Sequence, residues 1–152
     1  MEKYMKKALL LAKEAGKQGE IPVGAVIVKN GEIIATGYNR REQDSTALGH
    51  AEIMAIDNAC KKLKQWRLDD CELYVTLEPC PMCAGAIINA RLKRVIFGAF
   101  DKKMGSCCND SIINLFSLPY NHQPEVWAGI LEKECSDVLS EFFQNLRKGD
   151  DC

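Results

Sequence analysis

The sequence predicts an α/β fold, a mixed sheet with helices on both faces, in a single domain over residues 1–152. Three observations carry this. Segments with apolar residues at helical spacing alternate along the chain with short apolar runs of strand length. Asn30-Gly31, between two such runs, is the strongest short signal for an antiparallel hairpin. From Leu73 to Phe97, strand, helix and strand follow one another at the spacing of a parallel crossover. At 152 residues and 47% hydrophobic content, the chain can bury one substantial core and is short for two.

The elements follow in order. Met5, Ala8, Leu9, Ala12 and Ala15 recur at helical spacing from Tyr4 to Gly16, which is a natural stop. Gly24 to Lys29 and Glu32 to Tyr38 form the hairpin strands. Asn39 to Leu48 is polar and irregular. An almost wholly apolar helix then carries Ala51, Ile53, Met54, Ala55, Ile56 and Ala59 and ends near Lys61, with His50 and Glu52 expected in its first turn. Leu73 to Thr76 reads as a buried strand, Met82 to Ala90 as a second apolar helix and Val95 to Phe97 as a strand. A short helix is expected over Ser111–Phe116 and a last strand over Glu125–Ala128. An amphipathic helix over Lys133–Arg147 carries Val138, Leu139, Phe142, Phe143 and Leu146. No repeat or low-complexity segment interrupts the series.

Composition excludes several classes. The net charge of −1 gives no overall basic excess of the kind a nucleic-acid protein shows, so any basic footprint is local. Lys61, Lys62, Lys64 and Arg67, then Arg91, Lys93 and Arg94, then Lys102 and Lys103 are short basic clusters of the kind that solvated faces carry. The start, Met1-Glu2-Lys3-Tyr4-Met5-Lys6-Lys7, lacks the pattern of a secretory signal. No apolar run approaches the roughly 20 residues of a membrane span. The expectation is a soluble, cytoplasmic protein whose eight cysteines are reduced thiols and metal ligands rather than disulfides. Cys107 and Cys108, with no histidine nearby in sequence, read as structural or incidental.

Chemistry concentrates in His50-Ala51-Glu52 and Pro79-Cys80-Pro81-Met82-Cys83. Alone, His-x-Glu is at chance level, and Cys-x-x-Cys fits a redox pair or half of a structural zinc site. Together, each at the start of an apolar helix, they supply three zinc ligands and a carboxylate, as in a catalytic site with one open position. Pro81 suits a first helical position, which places Cys80 near the N-cap and Cys83 one turn along, where the helix dipole favours thiolates. Two thiolates cancel the metal's charge and leave a bound water less acidic than at an all-histidine site, so a nearby base is useful. Glu52 is the candidate. On a regular helix it would point roughly 200° away from His50, so it is not expected to share the metal.

His-x-Glu with Pro-Cys-x-x-Cys is the known signature of zinc nucleobase deaminases. Beyond it, the chain resembles the bacterial tRNA-specific adenosine deaminase family (TadA type) along nearly its whole length. The matching stretches include Ile21-Pro22-Val23-Gly24-Ala25-Val26, Gly37-Tyr38-Asn39-Arg40, His50 to Ala55, Leu73 to Ala86, Arg94 to Ala99, Asn121-His122, Gly129-Ile130-Leu131 and Glu134-Cys135. The resemblance implies a cytidine-deaminase-like α/β/α sandwich, a homodimer, one zinc ion per chain, and a tRNA anticodon loop whose wobble adenosine is splayed into the pocket and converted to inosine. Glu52 would take a proton from water and deliver it to a ring nitrogen, and in a second transfer would protonate the departing amine. By position, Asn39 and Asn121 would contact the flipped nucleoside and Asp101 the neighbouring nucleotides. Read from the residues alone, these are equally turn asparagines and a helix cap.

Three departures stand against the family pattern. Ser45-Thr46-Ala47-Leu48-Gly49 replaces the usual Asp-Pro-Thr-Ala before His-Ala-Glu, in a loop expected to border the pocket. Phe100 stands where a basic or polar residue is common, and the chain ends Lys148-Gly149-Asp150-Asp151-Cys152 in place of a basic tail, which weakens phosphate attraction. Phe142, Phe143, Arg147 and Lys148 fit an RNA-facing helix, with the two phenylalanines equally readable as core. Two further functions remain open at this stage: deamination of a free base or nucleoside of guanine or cytosine type, and a non-catalytic zinc- or RNA-binding module.

Overall fold

A computed structural model describes residues 1–150. Helix α1 spans Glu2–Lys17, strands β1 and β2 span Gly24–Lys29 and Glu32–Tyr38, and α2 spans Ala51–Leu63. Strand β3 (Cys71–Leu77), α3 (Pro81–Ala90), β4 (Arg94–Ala99), β5 (Glu125–Ala128) and α4 (Glu132–Asp150) complete the series. The sheet order is β2-β1-β3-β4-β5; β1 is antiparallel to both β2 and β3, while β4 is parallel to β3 and β5. The hairpin turns at Asn30 and Gly31, both at positive φ as a tight turn requires.

Strands β1, β3 and β4 occupy the interior of the sheet and are apolar on both faces because helices cover both. Ala25, Ile27, Leu73, Val75, Val95 and Phe97 pack with α2 and α3, whereas Val26, Val28, Tyr74 and Ile96 pack with α1 and α4. The three-layer sandwich follows from this alternation. Two glycines let the layers close. A Cβ on Gly24 would lie 2.0 Å from the Ala8 carbonyl oxygen of α1, and one on Gly37 would lie 2.4 Å from the Ala51 carbonyl oxygen of α2.

One expected element differs. In place of a helix over Ser111–Phe116 there is a single 3₁₀ turn, Leu115–Ser117. Cys107 and Asn114 form an isolated antiparallel bridge that holds the preceding backbone extended, and the Asn114 side chain caps the turn by accepting from the Phe116 N–H. Residues 100–124 therefore join two parallel strands with almost no helix, a length of loop that compact domains usually keep for function.

Candidate active site

The site lies where the carboxyl ends of β3 and β4 meet the N-termini of α2 and α3, the usual ligand position at an open α/β sheet. His50 is the N-cap of α2 and Cys80 the N-cap of α3, both with extended backbone, and neither caps its helix with its side chain. Pro81 occupies the first helical position as expected. Because His50 is extended rather than helical, the 200° separation from Glu52 does not arise, and both line one cavity of about 370 Å³. Ile21, Val23, Asn39, Arg41, Ala47, Leu77, Glu78, Cys80, Asp101 and Met104 complete its lining.

His50 Nδ1 is 3.6 Å from Cys80 Sγ and 3.5 Å from Cys83 Sγ. A tetrahedral zinc ion with ordinary Zn–N and Zn–S lengths sets nitrogen and sulfur about 3.6 Å apart, so the donor set fits the ion. Among the described residues these three form the one cluster of metal-type donors. Cys107 and Cys108 have no part in it; Cys107 is buried against the Pro79 carbonyl oxygen.

The electrostatics are those of a proton-handling site. Hydrogen bonds from Cys83 and His50 bring the Cys80 thiol down to about 4 against the cost of burial. The His50 imidazole is raised, first by its bond to Cys80. Cys83 is pushed up by its bond to Cys80 and by burial, so it keeps its proton. Burial raises the Glu52 carboxyl to about 7, against the opposing charge of His50.

Asn39 is buried and committed to the scaffold: Nδ2 donates to the Ile21 carbonyl oxygen at 2.9 Å, and Oδ1 accepts from the Ala51 N–H at 2.9 Å. It thereby fixes the start of α2 beside His50. Asp101 Oδ1 accepts from the N–H groups of Lys103 and Met104, a turn cap at the pocket wall. Asn121 is not brought to the site. It precedes β5, whose first residue pairs with Arg94 at the start of β4, and the adjacent His122 contacts the Leu92 carbonyl oxygen, so Asn121 lies at the opposite end of the parallel strands.

The first two departures have places in the structure. Ala47 lines the cavity, and the Gly49 carbonyl oxygen accepts from the Arg40 N–H, closing the loop that carries it. Phe100 is exposed, stacks edge-on against Phe97, and lines an adjoining cavity of about 400 Å³ with Lys102, Lys103, Leu139 and Phe143. Neither Phe142 nor Phe143 belongs to a core cluster, and Phe143 is 41% exposed. Asp151 and Cys152 lie outside the described residues.

A family model described as MafB19-like deaminase matches residues 1–147. The tRNA-specific adenosine deaminase of Bacillus subtilis (strain 168) is 53% identical over 148 residues, covering 97% of this chain and 91% of its own. The chain belongs to the tRNA-specific adenosine deaminase family. The family member from Aquifex aeolicus (strain VF5) is 45% identical over 96% of this chain and 95% of its own. A solved structure from studies of A-to-I editing by tRNA:A34 deaminases at the wobble position of transfer RNA is 43% identical, with a TM-score of 0.88, over 91% of this chain and 100% of that one. The X-ray structure of guanine deaminase from Bacillus subtilis is 50% identical, with a TM-score of 0.63, over 65% of this chain and 64% of that one.

Two lining or bracing residues of this family member escaped the sequence reading. Glu78 and Glu20 are each 2% exposed, and both accept hydrogen bonds from loops beside the cavity. A carboxylate wedged between Leu77 and Pro79 in an apolar stretch was the available signal for the first; Glu20, between Gly19 and Ile21, offered less.

Proposed function

We propose that this chain catalyses hydrolytic deamination of adenosine to inosine at the wobble position of a tRNA anticodon loop. In this reading residues 1–152 are one deaminase domain that works as a cytoplasmic homodimer, with one zinc ion per chain on His50, Cys80 and Cys83. Bound zinc would supply Lewis-acid activation of the attacking water. The observation that carries the reading is Glu52, a buried carboxyl raised to about 7 in a cavity that also holds the three donors.

The reaction consumes one water and releases ammonia. Glu52 accepts a proton from the water as its oxygen attacks C6 of the base, and delivers it to N1. A second transfer through the same carboxyl carries the proton of the new C6 hydroxyl to the amino nitrogen, and the C6–N6 bond breaks to give the 6-oxo base and ammonia. A group near 7 is suited to both directions of transfer at neutral pH. Asn39 retains one free N–H on Nδ2 for the base, and Asp101 stands at the rim for a flanking nucleotide.

Arg41 at the cavity, and Lys102, Lys103 and Arg147 along the adjoining depressions, supply local positive charge for RNA phosphates despite the near-neutral total. Phe143, exposed beside them, offers a stacking surface. For the homodimer, support comes from α3, which has no charged residue and leaves Met82, Gly85 and Ala86 only partly covered, and from exposed Ile112 and Ile113 in the loop before the 3₁₀ turn that packs on α3.

The likeness to guanine deaminase gives the competing substrate for the test. Zinc-loaded protein is offered an anticodon stem-loop with adenosine at the wobble position and, separately, free guanine, cytosine and their nucleosides, with Glu52→Ala as control. Inosine from the wild type alone is expected. Turnover of a free base with no inosine from the stem-loop would overturn the assignment.

A further inference from the structure

Two carboxylates, Glu20 and Glu78, each 2% exposed, are buried beside the cavity with no cation in ion-pairing contact among the described residues. A buried carboxylate is costly unless its oxygens accept hydrogen bonds, so the groups that donate to it reveal what it holds.

The donors come from the two loops that line the cavity. Glu20 Oε1 accepts from the Glu42 N–H at 3.1 Å and Oε2 from the Gln43 N–H at 2.9 Å. Burial acts to raise Glu20; the two N–H groups, together with the Gln43 side chain and the charge of Arg40, outweigh it and leave the carboxyl below its ordinary value. The loop so held contributes Asn39, Arg41 and Ala47 to the cavity.

Glu78 spans its loop at two separated points. Oε1 accepts from the Asp101 N–H at 3.1 Å, and Oε2 accepts from the Cys107 N–H at 3.1 Å and from the Ser111 hydroxyl. Between those points the chain passes so close that a Cβ on Gly105 would lie 2.4 Å from Glu78 Oε1. This loop contributes Asp101 and Met104 to the cavity. Each carboxylate thus replaces secondary structure in a stretch that has almost none.

We propose that Glu20 and Glu78 are positioning residues, acceptor posts that pin two walls of the cavity and thereby set how the target base is admitted. The inference rests on the proposed deamination. Glutamine keeps the shape of the side chain and turns one acceptor oxygen into an NH₂ group, which faces a donor in every orientation at Glu20 and leaves a backbone N–H unmet at Glu78.

The test uses zinc-loaded full-length Glu78→Gln, Glu20→Gln and Ser111→Ala. For Glu78→Gln and Glu20→Gln, KM for the anticodon stem-loop is expected to rise on the order of tenfold while kcat changes little, as lost hydrogen bonds to a charged group imply. Ser111→Ala should give a smaller rise of the same kind. Amide hydrogen exchange should quicken at residues 101–111 in Glu78→Gln and Ser111→Ala, and at 40–46 in Glu20→Gln, with the other loop unchanged in each case.

Unchanged KM and unchanged exchange would overturn the proposal. So would a joint fall of Tm and kcat at constant KM, which is what a general loss of packing produces. Should Glu78→Gln fail to fold, Ser111→Ala decides the matter by the same two readings. Absence of inosine from the wild type would instead remove the substrate assignment, leaving the exchange pattern to report on the pins.

Discussion

Helices α1 and α4 cover one face of the sheet with amphipathic surfaces: α1 buries Met5, Ala8, Leu9, Ala12 and Ala15, while lysines such as Lys3, Lys6, Lys7 and Lys13 face solvent. Helices α2 and α3 cover the other face and differ in kind. Their N-caps are His50 and Cys80, whose side chains serve the donor cluster in place of capping the helix. A conventional cap is worth about 1 kcal/mol, and this layer forgoes it twice, as α1 does once with Met1 at its N-cap. The α2/α3 face holds the larger buried apolar cluster, so packing in this layer supports helix starts whose side chains are given to the donor cluster.

The strongest attempt to break that division is Cys83→Ala. It removes one of three donors, so metal content measured by absorption spectroscopy should fall from one per chain toward none. Inosine formation should fall by far more than the 10–100-fold that loss of an outer partner costs a metal site, on the order of complete loss. Retention of both metal and activity would sink the donor assignment.

Met5→Ala probes the other layer. Met5 is fully buried between α1 and the sheet, and a cavity of that kind costs about 2–5 kcal/mol. Denaturant titration should show the loss, with kcat on the stem-loop unchanged in the protein that remains folded. A parallel fall in kcat would mean that the two layers are coupled.

The third measurement sharpens the comparison through pH. Metal uptake requires neutral His50 and deprotonated cysteines. Cys80, held down to about 4, releases no proton in the working range, whereas Cys83, raised, releases one at every pH. His50, raised, releases a second only below its shifted value. Metal affinity should therefore fall about tenfold per pH unit as pH drops in the upper range and about a hundredfold per unit once His50 is protonated, about 1.4 kcal/mol for each proton displaced. Chelator competition between pH 5.5 and 8 checks this, and a flat profile would contradict the proton assignment.

What the sequence made legible was whatever one residue determines locally. Asn30-Gly31 fixes a hairpin turn, Pro81 a helix start, and apolar runs such as Val95 to Phe97 a strand covered on both faces. The candidate metal donors were readable because His50 and the Cys80/Cys83 pair sit at helix starts. The remainder depends on contacts distant in sequence. Asn39 acts through Ile21 and Ala51, and Glu78 through Asp101, Cys107 and Ser111, mostly with backbone groups that leave no compositional trace. Asn121 was drawn to the site by its motif, yet strand direction puts it at the other end of the sheet.

At the border of that sheet, β5 is four residues long, pairs with β4 on one side, and exposes Glu125, Trp127 and Ala128. Arg94 reaches across from β4 to Glu125 at 2.8 Å and lies 4.3 Å over the Trp127 ring. At the far border, β2 begins with exposed Glu32 and Ile33, and its ladder with β1 is broken by a register irregularity at Ile27/Val28. Short length, fixed charge and a bulge are the features that stop one sheet from extending into another. These features guard the molecule against edge-to-edge aggregation.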